Sequence, residues 1–129
     1  MEVEQRGGSS PGMKLLFVEM GVGYDLHGQD VTAAAMRACR DAIASNSIPA
    51  FGRGSIPGVT SDHMKLHVKL GVPHPLQKNV DKEKIKSVFP YGKIQNFEIV
   101  DGGLVCSTEE LAEKKDDCYI VNAAVYVGY

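Results

Sequence analysis

The chain has 129 residues, of which 43% are apolar and 23% charged, and a formal net charge of −2. That length fits one domain, and the composition excludes wholesale disorder, collagen-like repeats and coiled coil. The near balance of charge gives no electrostatic case for nucleic acid or an anionic membrane as partner. The longest uncharged stretch is far too short to span a bilayer, and no basic-then-apolar leader is visible. Three cysteines, Cys39, Cys106 and Cys118, are widely spaced and form no CxxC pair. They predict free thiols in a reducing, cytoplasmic compartment.

Residues 1–12 hold Gly, Ser, Pro and charge with almost nothing to bury, which predicts a flexible extension and leaves 13–129 as a single domain. Residues 14–20 are a nearly continuous apolar run, read as an interior strand buried on both faces, with Glu19 the one carboxylate in it. A glycine-containing loop is expected over 21–29. Asp30 is then a good N-cap, and Val31, Ala34, Ala35, Ala38, Cys39, Ala42 and Ile43 recur at helical spacing, with Arg37 and Asp41 paired on the other side. The helix should end near 45–47, before Pro49, and a loop follows to Thr60. Met64, Leu66, Val68, Leu70 and Val72 alternate with Lys65, His67, Lys69 and Gly71, a strand with one apolar and one basic face. Residues 81–88 read as a short helix. Residues 94–100 and 104–106 flank an Asp-Gly-Gly turn and read as a hairpin. A helical patch at 108–115 and a final strand at 119–127 complete the order β-α-β-α-β-β-(α)-β. This is an α+β domain, a mixed sheet with its helices packed on one face.

The segment richest in chemistry is Gly21-Val-Gly-Tyr-Asp-Leu-His-Gly-Gln-Asp30. Glycines permit close backbone approaches, and a loop entering a helix brings polar groups to free N–H donors and partial positive charge. Asp25 and His27 are two apart, so the carboxylate can orient the imidazole for general acid or base work. The pattern is neither the dinucleotide fingerprint, which would need a glycine at Leu26, nor a phosphate-binding P-loop. Two readings follow: a ligand site, or a tight strand-to-helix connection in which Asp25 and Asp30 satisfy backbone donors.

GVGYDLHGQD matches GxGxDxHG, with Gly21, Gly23, Asp25, His27 and Gly28 on the signature positions. On this motif the chain resembles a small family of uncharacterised proteins named after a Listeria reading frame and also seen in cyanobacteria and plants. The likeness runs from Met13 to Tyr129, through MKLHVKLGVP, VFPYGK and VNAAVYVGY. It implies that the segment is a site and supplies no reaction.

Among the histidines, His63 and His67 have HxxxH spacing, but in a strand residues four apart lie about 13 Å apart and cannot share a metal ion. No metal is therefore assigned, and no cofactor is specified. His67, with Lys65 and Lys69, offers either a solvated strand face or a cationic patch for an anion. Asn122 and Glu19, polar among apolar neighbours, are either structural clamps or pocket members. The expected site is one polar pocket at the helix start, with Asp25 and His27 catalytic and Gly21, Gly23, Gly28, Asp30, Glu19, Asn122 and His67 binding. Two functions fit: an enzyme acting on a small anionic or polar metabolite, or a non-catalytic ligand-binding or structural module. A single helical layer over the sheet further predicts a homo-oligomer.

Overall fold

The computed structural model describes residues 12–44 and 57–129. Strand β1 (Leu15–Asp25) leads into α1 (Val31–Ala44); β2 (Lys65–Val72), α2 (Lys82–Lys86), β3 (Lys93–Asp101), β4 (Leu104–Cys106), α3 (Glu109–Glu113) and β5 (Cys118–Gly128) follow. The expected extension, apart from Gly12, and the expected helix end at 45–47 lie outside the described residues.

The strands form one mixed sheet in the order β1-β5-β2-β3. β5 is antiparallel to both β1 and β2, while β2 and β3 are parallel. β4 lies beside β2 on the same flank of β5, pairing with Cys118–Ile120 where β2 has ended. The domain is thus α+β, with α1 and α2 on one face of the sheet.

Small side chains set the packing of that face. Ala34, Ala35, Ala38 and Cys39 of α1 are fully buried against Val68, Leu70, Val72 and Val121, with Ile85 of α2 closing the cluster. Ala42 continues into a second cluster with Met64, Leu66, Val125 and Val127. Each Ala on the stripe lets the helix axis approach the sheet.

Three expectations need correction. β1 is an edge strand, not an interior one: its odd-numbered residues from Phe17 to Asp25 face α1, while Val18, Met20, Val22 and Tyr24 stay exposed on the open face. The strand also runs through the glycines to Asp25, because the ladder with β5 continues as far as Asp25 opposite Tyr119. The loop is therefore confined to 26–30. Finally, β3 and β4 make no hairpin. Gly103 donates its N–H to Asn122 Oδ1 (3.0 Å), and a Cβ on Gly103 would stand 2.2 Å from the Ile120 carbonyl. The Asp-Gly-Gly turn is pressed onto β5, so β4 pairs there and β3 pairs with β2.

Two α1 side chains occupy part of the open edge of β1. Val22 N–H donates to Asp41 Oδ2 (2.9 Å), and Arg37 Nη1 donates to the Tyr24 carbonyl (2.9 Å). Arg37 and Asp41, predicted to pair with each other, both reach across to β1. Those two bonds make the Val22–Tyr24 end of the edge a poorer template for another strand.

Candidate functional site

The signature residues divide sharply by what surrounds them. A Cβ on Gly21 would lie 2.4 Å from Ala38 O and Ala42 N, and one on Gly23 would lie 2.3 Å from Ala34 O and Ala38 N. Those contacts are with helix backbone, so both glycines are required for α1 to lie against β1. Asp25, 8% exposed, is a clasp: Oδ2 accepts from Asp30 N–H (2.9 Å) and Oδ1 from Arg37 Nη1 (3.0 Å). The Asp30 amide, helped by Arg37, holds the Asp25 carboxyl below the usual carboxylate range against the opposing effect of burial. Gly28 leaves that carboxylate room, since a Cβ there would meet Asp25 Oδ2 at 2.8 Å. Asp30 caps α1 through Oδ1, which accepts from Ala33 N–H (3.1 Å).

His27 has no such duty. Its side chain is 79% exposed, and its Nδ1 lies 3.1 Å from Asp116 Oδ1 and 3.2 Å from Oδ2. A carboxylate only accepts, so Nδ1 donates to Asp116 and the rest of the ring is open to solvent. Sequence reasoning gave the orienting role to Asp25. The structure gives it to Asp116, 89 residues along the chain, because both Asp25 oxygens already serve Asp30 and Arg37.

A cleft of about 480 Å³ opens here, lined by Tyr24, Asp25, Leu26, His27, Gly28 and Arg37 among others. Tyr24 and Leu26 are half exposed and supply apolar walls. A guanidinium carries five N–H donors, and the described contacts of Arg37 use Nη1 alone. The cleft therefore combines a cation, an oriented imidazole and apolar flanks. That set can hold an anionic or polar group and exchange a proton with it.

The other predicted site residues lie elsewhere. Glu19 is buried beneath α1, farther down β1. Asn122 is on the opposite face, bonded to Gly103. His67 shares the open face with Lys69, but neighbouring side chains cover it there. The imidazole is 2% exposed, with Nε2 3.0 Å from Glu98 Oε1 and the Tyr126 ring 5.2 Å away. Glu98 also lies 3.9 Å from Lys69 Nζ, so the expected cationic patch carries its own counter-charge. Among the described residues, no three His, Cys, Asp or Glu side chains converge as a metal site would require. Arg37 and Asp116 were missed. Arg37 was findable, because a helix that folds back over its strand must set its second turn beside residues 23–25; nothing local announces Asp116.

The comparisons agree with the likeness carried by the motif. The family model described as "Conserved hypothetical protein (Lin0512_fam)" matches residues 15–127. The chain belongs to this family. A search of curated proteins found no match. Among solved structures, the crystal structure of an FtsZ-like protein of unknown function from Nostoc punctiforme PCC 73102 is 36% identical. It superposes with a TM-score of 0.71 over 89% of this chain and 94% of that one. Among the described residues, no helix is long and apolar enough to cross a membrane.

Proposed function

We propose that this member of the family binds a small anionic or polar metabolite in the cleft beside α1, with Arg37 holding the charged group and His27 acting as acid or base. One observation carries the reading: His27 alone among the signature side chains is not consumed by folding, yet a distant carboxylate fixes its ring. Orientation of an exposed imidazole by a second element serves no packing purpose and is the arrangement that proton transfer requires. On this reading the protein works in the cytoplasm, in keeping with an odd set of unpaired thiols.

The test is thermal stabilisation by a panel of small carboxylates and phosphates, inorganic phosphate included, measured on the wild type, His27→Ala and Arg37→Gln. The wild type should gain melting temperature with some members of the panel. His27→Ala should keep its ligand-free melting temperature and lose that gain. A destabilised His27→Ala that still responds to the panel would end the proposal.

A second reading, self-association, is favoured by the open face. Met20 (72% exposed), Val22 and Tyr24 of β1 form an apolar stripe there, with Leu104 on β4. A groove on this face is lined by Met20 and Val22 of β1 and, across β5, by Lys69 of β2 and Asp101 of β3, so the apolar surface is flanked by charges of both signs. A patch bearing both signs lets two copies meet about a two-fold axis, and the part of the β1 edge held by Arg37 and Asp41 favours the face over the edge. Light scattering should give a multiple of 13.9 kDa that Met20→Lys reduces to the monomer. A wild-type monomer at micromolar concentration would refute it.

A further inference from the structure

Cys106 and Cys118, twelve residues apart in sequence, are brought directly opposite each other by the antiparallel pairing of β4 and β5. Directly opposed residues have Cβ atoms about 4.5–5.5 Å apart, and a disulfide needs about 3.5–4.5 Å, so closure requires only a small local adjustment. Both thiols are free and half-buried, reachable by a small oxidant, whereas Cys39 is sealed between α1 and the sheet. The pair stands at the base of the 107–117 excursion, which contains α3 and is otherwise held there by the Ser107 Oγ bond to Asp117. Asp116, the partner of His27, rides on that excursion.

We propose that Cys106 and Cys118 form a dithiol that peroxide converts to a cross-strand disulfide, stapling the base of the excursion that carries Asp116. The first thiol, as its thiolate, attacks the peroxide; the O–O bond breaks, a sulfenic acid forms, and the released hydroxide takes the thiol proton to become water. The second sulfur then attacks the sulfenic sulfur, the S–O bond breaks, and a second water leaves. Two thiols lose two electrons in all and one peroxide is reduced to two waters. Cys106 is the sulfur that attacks the peroxide. Burial, the adjoining Cys106 and the nearby Asp25 push the Cys118 thiol upward, which suits it to the second step, where proximity replaces thiolate abundance.

The inference does not depend on what the cleft binds. The reduced full-length chain is treated with a small excess of hydrogen peroxide, quenched, and examined by thiol titration under denaturing conditions and by non-reducing peptide mapping. The expected outcome is loss of two of the three thiols, one peptide pair linking Cys106 to Cys118, and full reversal by dithiothreitol. Cys106→Ser and Cys118→Ser should each abolish the linked pair, and Cys39→Ala should retain it; should a variant fold poorly, the map of the wild type decides alone. Closure should also shift the His27 imidazole resonances, a change that a bridge remote from Asp116 would not produce. Three intact thiols, a sulfinic acid without a bridge, bridges between chains, or a bridge to Cys39 would each overturn it.

Discussion

Along β1, Glu19, Gly21, Gly23 and Asp25 lie beneath α1, while Val18, Met20, Val22 and Tyr24 alternate with them on the opposite side. The covered face carries Gly21 and Gly23, the smallest residues of the strand, and the open face beside them carries Met20, Val22 and Tyr24. Around the two glycines, size runs against burial. Beneath α1 the limiting quantity is room, because helix backbone rather than side chain sits over the glycines. On the open face there is room to spare. A methyl group should therefore cost much more on the covered face than on the open one.

The sharpest test is Gly23→Ala. Its Cβ meets Ala34 O and Ala38 N at 2.3 Å, and backbone cannot rotate away, so α1 must lift. A loss of about 3 kcal/mol or more in chemical denaturation is expected, and Gly21→Ala should behave alike. Next in size is the Asp25 clasp. A carboxyl held below its ordinary value in the folded state stabilises the fold at pH above its unfolded value, about 3.9, and that contribution fades as pH falls through the lower folded value. Denaturation midpoints should thus drop on acidification below about pH 4. Asp25→Asn should flatten that part of the profile while costing about 1–2 kcal/mol at pH 7.

On the open face the effects shrink. Gly71→Ala places a Cβ 2.3 Å from Asn122 Oδ1, a side-chain atom that can swing away at the expense of its bond to Gly103 N–H. A loss of about 1 kcal/mol is expected, and Asn122→Ala should cost a similar amount. Because Asn122→Ala removes the atom that the new Cβ meets, the double variant should lose less than the two single losses combined. Equal additivity would show that the Gly71 effect lies in the backbone. Smallest of all, His27→Ala should change stability by less than about 0.5 kcal/mol, since its imidazole is mostly exposed and its one described bond is at the surface.

How much of this was legible in the residues varies from element to element. The α1 stripe and the cap at Asp30 follow from local spacing and appear as expected, whereas the caps at Asp81 and Thr108 emerge only in the structure. The 14–20 run misled, because a continuous apolar strand reads as doubly buried whether its second face meets another layer or open space. The glycines misled for a related reason: a Gly pair signals a loop unless one knows that a helix lies across it. The predicted pocket was half assembled. Gly23, Asp25, His27 and Gly28 do meet at one cleft, while Glu19, Asn122 and His67 are dispersed over two faces of the sheet.

From the sequence alone came the α+β class, the strand-then-helix unit around the signature and the candidacy of Asp25 and His27 at it, all consequences of periodicity and residue chemistry within a few turns of chain. Only the tertiary structure decided that Asp116 holds His27, that Cys106 faces Cys118, that Glu98 shields His67, and that β4 joins β5. Each of these depends on which strands are neighbours and in what register. Register is settled by the burial of many side chains at once, so no single segment contains it.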